Sequence, residues 1–106
     1  MVLIKLSKHD QYVENLRKQL SGVYDSIDTN VRLYRGKKRV RVVAEIDLLA
    51  KQGNVYDIYE VKCSHRITKA KLQLRKIRKK LSPKYHIRDT FFYCGNSSLL
   101  LKSEGI

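Results

Sequence analysis

Ala44-Glu45-Ile46-Asp47-Leu48-Leu49-Ala50-Lys51-Gln52-Gly53-Asn54-Val55-Tyr56-Asp57-Ile58-Tyr59-Glu60-Val61-Lys62 holds two β-rich runs on either side of Gly53-Asn54. A glycine between such runs supplies the positive φ that a two-residue hairpin turn needs. With Gly53 and Asn54 as the loop, Gln52 faces Val55, Asp47 faces Glu60 and Glu45 faces Lys62. Strand side chains alternate, so Glu60 and Lys62 share one face and the two acids join them across the ladder. Directly opposed carboxylates about 4.5 Å apart repel by about 4 kcal/mol at an effective dielectric near 20. A shared proton, a nearby cation or a divalent metal would relieve it, and carboxylate oxygens are what Mg²⁺ and Mn²⁺ prefer. The residues therefore predict a metal site on Asp47 and Glu60 with Lys62 beside it.

Ile46-Asp47, a spacer hairpin and Glu60-Val61-Lys62 resemble the core motif of the PD-(D/E)xK nucleases. With Glu45-Ile46-Asp47-Leu48-Leu49 the run is most similar to archaeal Holliday junction resolvases and related small endonuclease-like proteins. The resemblance covers about residues 7–94, and the motif's proline position carries Ile46. It implies an α/β domain with a restriction-endonuclease-like core: helix, three-strand antiparallel meander, helix, strand, as one nuclease-like domain over 1–106. It implies hydrolysis of a DNA phosphodiester with Mg²⁺, or Mn²⁺, held by Asp47, Glu60 and the Val61 carbonyl. Lys62 would orient the attacking water, and Glu14 and Gln73 would support the site. The motif handles phosphate rather than substrate shape, so junction resolution, nicking and end-trimming all stay open. So does a nucleic-acid binder of the same fold that does not cut.

Outward from this stretch, Ser7-Lys8-His9-Asp10 reads as a helix start with Ser7 as cap and Asp10 in the place of a capping-box acid. Val13, Leu16, Leu20 and Val23 form its apolar stripe, and Gly22 its stop. Glu14 lies beside the stripe, where a solvated glutamate is the competing reading. His9 reads as an exposed first-turn residue. Tyr24–Asn30 is polar and turn-rich, Val31–Arg35 alternates like a strand, and Gly36-Lys37-Lys38 turns into a strand over 39–50. On that strand Val40, Val42, Ala44, Ile46 and Leu48 are expected to line one face.

Ile67, Ala70, Leu74, Ile77 and Leu81 step by three and four, the clearest amphipathic helix in the chain, with Pro83 beyond its end. From Lys62 to Arg88 there is no acid, while Lys69, Arg75, Lys76, Lys79 and Lys80 stud the helix. Without acids to form i,i+4 pairs, phosphate binding is the better account of that run. The net charge of +13, from 23 basic and 10 acidic residues, points the same way: to a polyanionic partner, DNA, branched or not. Thr90–Cys94 is strand-like. Ser98–Leu101 reads as a last strand or a short partner-facing segment; Leu99–Leu101 cannot all face one core, so a homodimer contact is expected there, as in the resembled resolvases.

The hydrophobic share of 42% suits a folded chain rather than a disordered one. No apolar run reaches membrane-spanning length, and residues 1–6 are too short for a signal peptide. Two cysteines, Cys63 and Cys94, suit a reduced compartment. An intracellular, cytoplasmic protein without a membrane partner is expected.

Overall fold

A computed structural model describes residues 6–103. Its elements run α1 (Lys8–Leu20), β1 (Ser26–Arg35), β2 (Arg41–Gln52), β3 (Val55–Lys62), α2 (Ile67–Leu81), β4 (His86–Cys94) and β5 (Leu99–Lys102). The fold is α/β, with one five-stranded sheet in sequence order. Neighbouring strands are antiparallel except β3 and β4, which run parallel. A parallel pair needs a crossover, and α2 supplies it.

The hairpin turn falls at Gly53-Asn54, with Gln52 opposite Val55. Gly53 has φ 60° and Asn54 no positive φ, the pattern of a type II′ turn. Successive β3 residues then separate to opposite faces. Tyr59 and Val61 join Val13 and Leu16 of α1, with Leu48, Ala50 and Tyr93. Ile58 joins Leu74, Ile77 and Leu81 of α2, with Ile46 and Ile87. The helices therefore cover opposite faces. Each fully buried Leu or Ile stabilises by about 1.5–3 kcal/mol, so Ile77→Ala would loosen α2 most directly.

The single apolar face expected for β2 is not sustained. Leu48 and Ala50 pack toward α1, whereas Ala44 and Ile46 pack toward α2, and Val40 and Val42 are exposed. β1 changes sides at the same level, Ile27 toward α1 but Val31 and Leu33 toward α2. The residue between, Asn30, has φ 54°. Asn tolerates this left-handed conformation, which turns the hairpin over without shifting its register across Thr29–Leu48 and Val31–Ile46. The same residue explains why Ser26–Asn30, expected as turn, is strand: the turn-like composition marks one kinked position.

Ser7 Oγ accepts the Asp10 N–H at 3.1 Å and caps α1. The α1 stripe ends with Leu20, and Val23 is exposed beyond the helix. Gly95 then docks the helix. Its N–H donates to the Lys62 carbonyl at 2.8 Å, and a Cβ there would collide with the Tyr12 ring. At the other end of β3, buried Asp57 accepts from Arg88 Nη2 at 2.7 Å, Tyr24 Oη at 2.6 Å and the Asp89 N–H at 3.0 Å. These donors hold its carboxyl below the usual range despite burial. Cys63 and Cys94 are free thiols. No helix among the described residues is long and apolar enough to cross a membrane.

Candidate active site

The β2–β3 ladder runs from Gln52–Val55 to Leu48–Tyr59 and stops there. One step further, the Val61 N–H donates to Asp47 Oδ2 at 2.8 Å, a side-chain carboxylate in place of a strand carbonyl. The strands have parted where β2 turns over. The expected Asp47–Glu60 and Glu45–Lys62 pairings are therefore both absent from the ladder: Asp47 accepts from the Val61 amide instead, and Glu45 is exposed and meets Arg32 of β1, Oε1 to Nε 3.4 Å.

Glu60 and Lys62 share the α2 face as the alternation requires. Lys62 Nζ lies 3.0 Å from Glu60 Oε1 and donates to Gln73 Oε1 of α2 at 3.0 Å. Glu60 is buried, and its Oε2 is the one buried side-chain nitrogen or oxygen among the described residues without a hydrogen-bond partner. Burial, then repulsion from Asp47, raises the Glu60 carboxyl to about 7 against the pull of Lys62. Burial also raises Asp47, opposed by the Val61 N–H, His9 and Lys62.

His9 is in this site, contrary to the expectation of an exposed first-turn residue. Its Nε2 donates to the Val61 carbonyl at 3.1 Å and lies 3.4 Å from Asp47 Oδ2, while Nδ1 donates to Asp10 Oδ1 at 3.3 Å. Burial would lower its pKa, but the charge of Asp47 and the Asp10 hydrogen bond outweigh it and hold the ring above its ordinary value. The signal was in the spacing. His9 stands four residues before Val13 and seven before Leu16, at the head of the stripe that packs on the sheet.

Glu14 is five residues from His9, about 140° around the helix. It pairs with Arg17, whose Nε donates at 3.0 Å, and the structure does not bring it to Asp47 or Glu60. Asp47, Glu60, Val61, Lys62 and Gln73 do come together, from β2, β3 and α2.

The five basic positions separate into two sets. Lys69, Gln73, Lys76 and Lys80 fall in one row of α2 at spacings of four, three and four, so three lysines flank the glutamine that holds Lys62. Arg75 and Lys79 are exposed and lie further round on the outer face. Lys80 ends the row at a groove of about 390 Å³ shared with Tyr34, Arg35, Lys84 and Tyr85.

A divalent cation is the group the resemblance implies. The orphaned Glu60 Oε2 and two buried carboxylates with raised pKa values fit it as hard oxygen donors. Among the described residues no group of three or more His, Cys, Asp or Glu side chains is already arranged to hold a metal ion. No protein-family model matches the chain, and no curated protein matches it.

Proposed function

We propose that the protein is a metal-dependent DNA endonuclease with a restriction-endonuclease-like core, acting on branched DNA in the manner of a junction resolvase. One observation carries this reading: two buried carboxylates, one with an orphaned oxygen, beside a lysine at the rim of an acid-free basic helix. A protein that only bound a polyanion would gain nothing from buried acids facing it.

Asp47, Glu60 and the Val61 carbonyl would hold Mg²⁺ or Mn²⁺. Such an ion, when bound, polarises the phosphate, acidifies water and offsets charge on the leaving oxygen. Lys62, kept in place by Gln73 and Glu60, would orient the attacking water and stabilise the charge growing on the phosphate oxygens. The row Lys69–Lys76–Lys80 would carry the phosphates along α2 past the site. α2 has no acid in its first turn and no side-chain cap, so nothing there repels a backbone.

A non-cutting nucleic-acid binder of the same layout is favoured by one feature, the His9 ring already resting on Asp47 and the Val61 carbonyl. Incubating the protein with a four-way junction, a flap, a single strand and plain duplex, in Mg²⁺, Mn²⁺ or EDTA, separates the readings. Metal-dependent cutting with preference for the junction is expected; binding without cutting in either metal would leave only the binder.

The reading includes a homodimer through β5, where Leu99 and Leu100 are exposed. Such symmetry would set two sites on one junction. Sedimentation as a monomer at high micromolar concentration would remove junction resolution while leaving cleavage.

A further inference from the structure

We propose that His9 is itself a ligand of the metal site, so that one imidazole nitrogen joins the oxygens and tilts the site toward Mn²⁺ over Mg²⁺. The inference rests on the reading that Asp47 and Glu60 bind a divalent ion. Asp10 and His9 supply the carboxylate–histidine half of what would be a carboxylate–histidine–metal arrangement. A ligating histidine commonly donates its other N–H to a carboxylate, which fixes the ring and its tautomer. Here Nδ1 donates to Asp10 Oδ1 at 3.3 Å, which leaves Nε2 as the end of the ring turned to the site. That end lies 3.1 Å from the Val61 carbonyl oxygen and 3.4 Å from Asp47 Oδ2, two oxygens of the same site.

As a hydrogen-bond donor, Nε2 has one proton to share between two acceptors, the Val61 carbonyl at 3.1 Å and Asp47 Oδ2 at 3.4 Å. As a ligand it would address the centre of both at once. On ion binding Nε2 releases its proton to solvent and offers its lone pair, while Nδ1–H stays with Asp10. The chain also fixes where this ring stands. Tyr12, one turn on, is seated against Gly95, and the Gly95 N–H is tied to the Lys62 carbonyl. The first turn of α1 is thereby held at the end of β3 that carries the acids. An imidazole nitrogen adds affinity for transition-metal dications and little for Mg²⁺, which prefers oxygen.

The test uses the whole chain and Mn²⁺ alone. Calorimetric titration with Mn²⁺ and Mg²⁺ gives the affinities, and electron spin-echo spectroscopy of bound Mn²⁺ detects a directly bonded nitrogen. Wild type is expected to show the nitrogen coupling. His9→Ala should lose it and bind Mn²⁺ at least about tenfold more weakly, with a smaller change for Mg²⁺. His9→Gln, which keeps a donor for the Val61 carbonyl, should lose the coupling as well, and Asp10→Asn should weaken Mn²⁺ about tenfold with the coupling retained. Mn²⁺ bound without nitrogen coupling, or bound as tightly or more tightly by His9→Ala, would overturn the ligand role and leave the oxygen site standing. Failure of wild type to bind either ion would overturn both.

Discussion

Glu60→Gln should make the metal-free protein more stable, and the size of the effect follows from the site. The carboxyl titrates at about 7 rather than its ordinary 4.5, a factor of about 300 in proton affinity, or about 3 kcal/mol. The cause is burial first and the Asp47 charge second, and Lys62 already moderates both. A carboxyl with a raised folded-state pKa stabilises fully below pH 4.5, and that contribution is lost as pH rises through about 7. Gln keeps an oxygen for Lys62 and presents an amide to Asp47 instead of a like charge. The two proteins should therefore be about equally stable near pH 4. By pH 8 the variant should lead by about 3 kcal/mol, or roughly 10 °C or more in Tm for a chain of this size. Urea unfolding in EDTA at pH 4, 6 and 8 measures the difference, and subtracting the curves removes groups titrating independently of Glu60. A gap that stays flat with pH, or a variant less stable at pH 8, would refute the account of an uncompensated buried acid.

Asp47→Asn should abolish cleavage while leaving DNA binding equal or tighter, since its oxygen can still accept the Val61 N–H and one repulsive charge is gone; wild-type cutting rates in Mg²⁺ would remove Asp47 from the chemistry. Lys69, Lys76 and Lys80 changed together to Ala should flatten the log–log salt dependence of DNA affinity by about 2.7, three phosphates at about 0.9 each. The Arg75/Lys79 pair on the outer face should change that slope less, and equal effects per residue would argue against a track along the Gln73 row. Gly95→Ala should lower stability by about 1–3 kcal/mol by forcing Tyr12 off the sheet, read by thermal melting, and its loss of activity should exceed what the unfolded fraction explains, because His9 moves with α1.

Much of the fold is legible in the sequence alone. The Gly53-Asn54 hairpin and the α2 stripe follow local rules that nothing nearby overrides, and α2 runs over Ile67–Leu81 as its period indicates. The shared face of Glu60 and Lys62 follows from alternation, whereas Asp47 joins them through the Val61 amide rather than through the expected ladder pair. What failed was extrapolation through an irregularity. Counting register past Leu48 places Asp47 against Glu60 and Glu45 against Lys62, because a ladder that opens leaves no mark in composition. Asn30 hides the first half of β1, and the polar side chains of His86, Arg88 and Asp89 hide the start of β4. On α1 the acid was favoured over the residue at the head of the stripe, although position on the packed face, not charge, decides what reaches the sheet.

The Val61 amide is bonded to Asp47 rather than to a strand, so the main chain carries its own probe of the site. Protonating or neutralising Asp47, or drawing its Oδ2 toward an ion, alters a single backbone N–H near the C-terminal end of β3. Its nitrogen and proton resonances, and its exchange with deuterium, should move on metal titration while those of Ile58 and Tyr59 in the intact ladder hold still. Occupancy could thus be followed in a catalytically dead protein, without substrate and without an attached label.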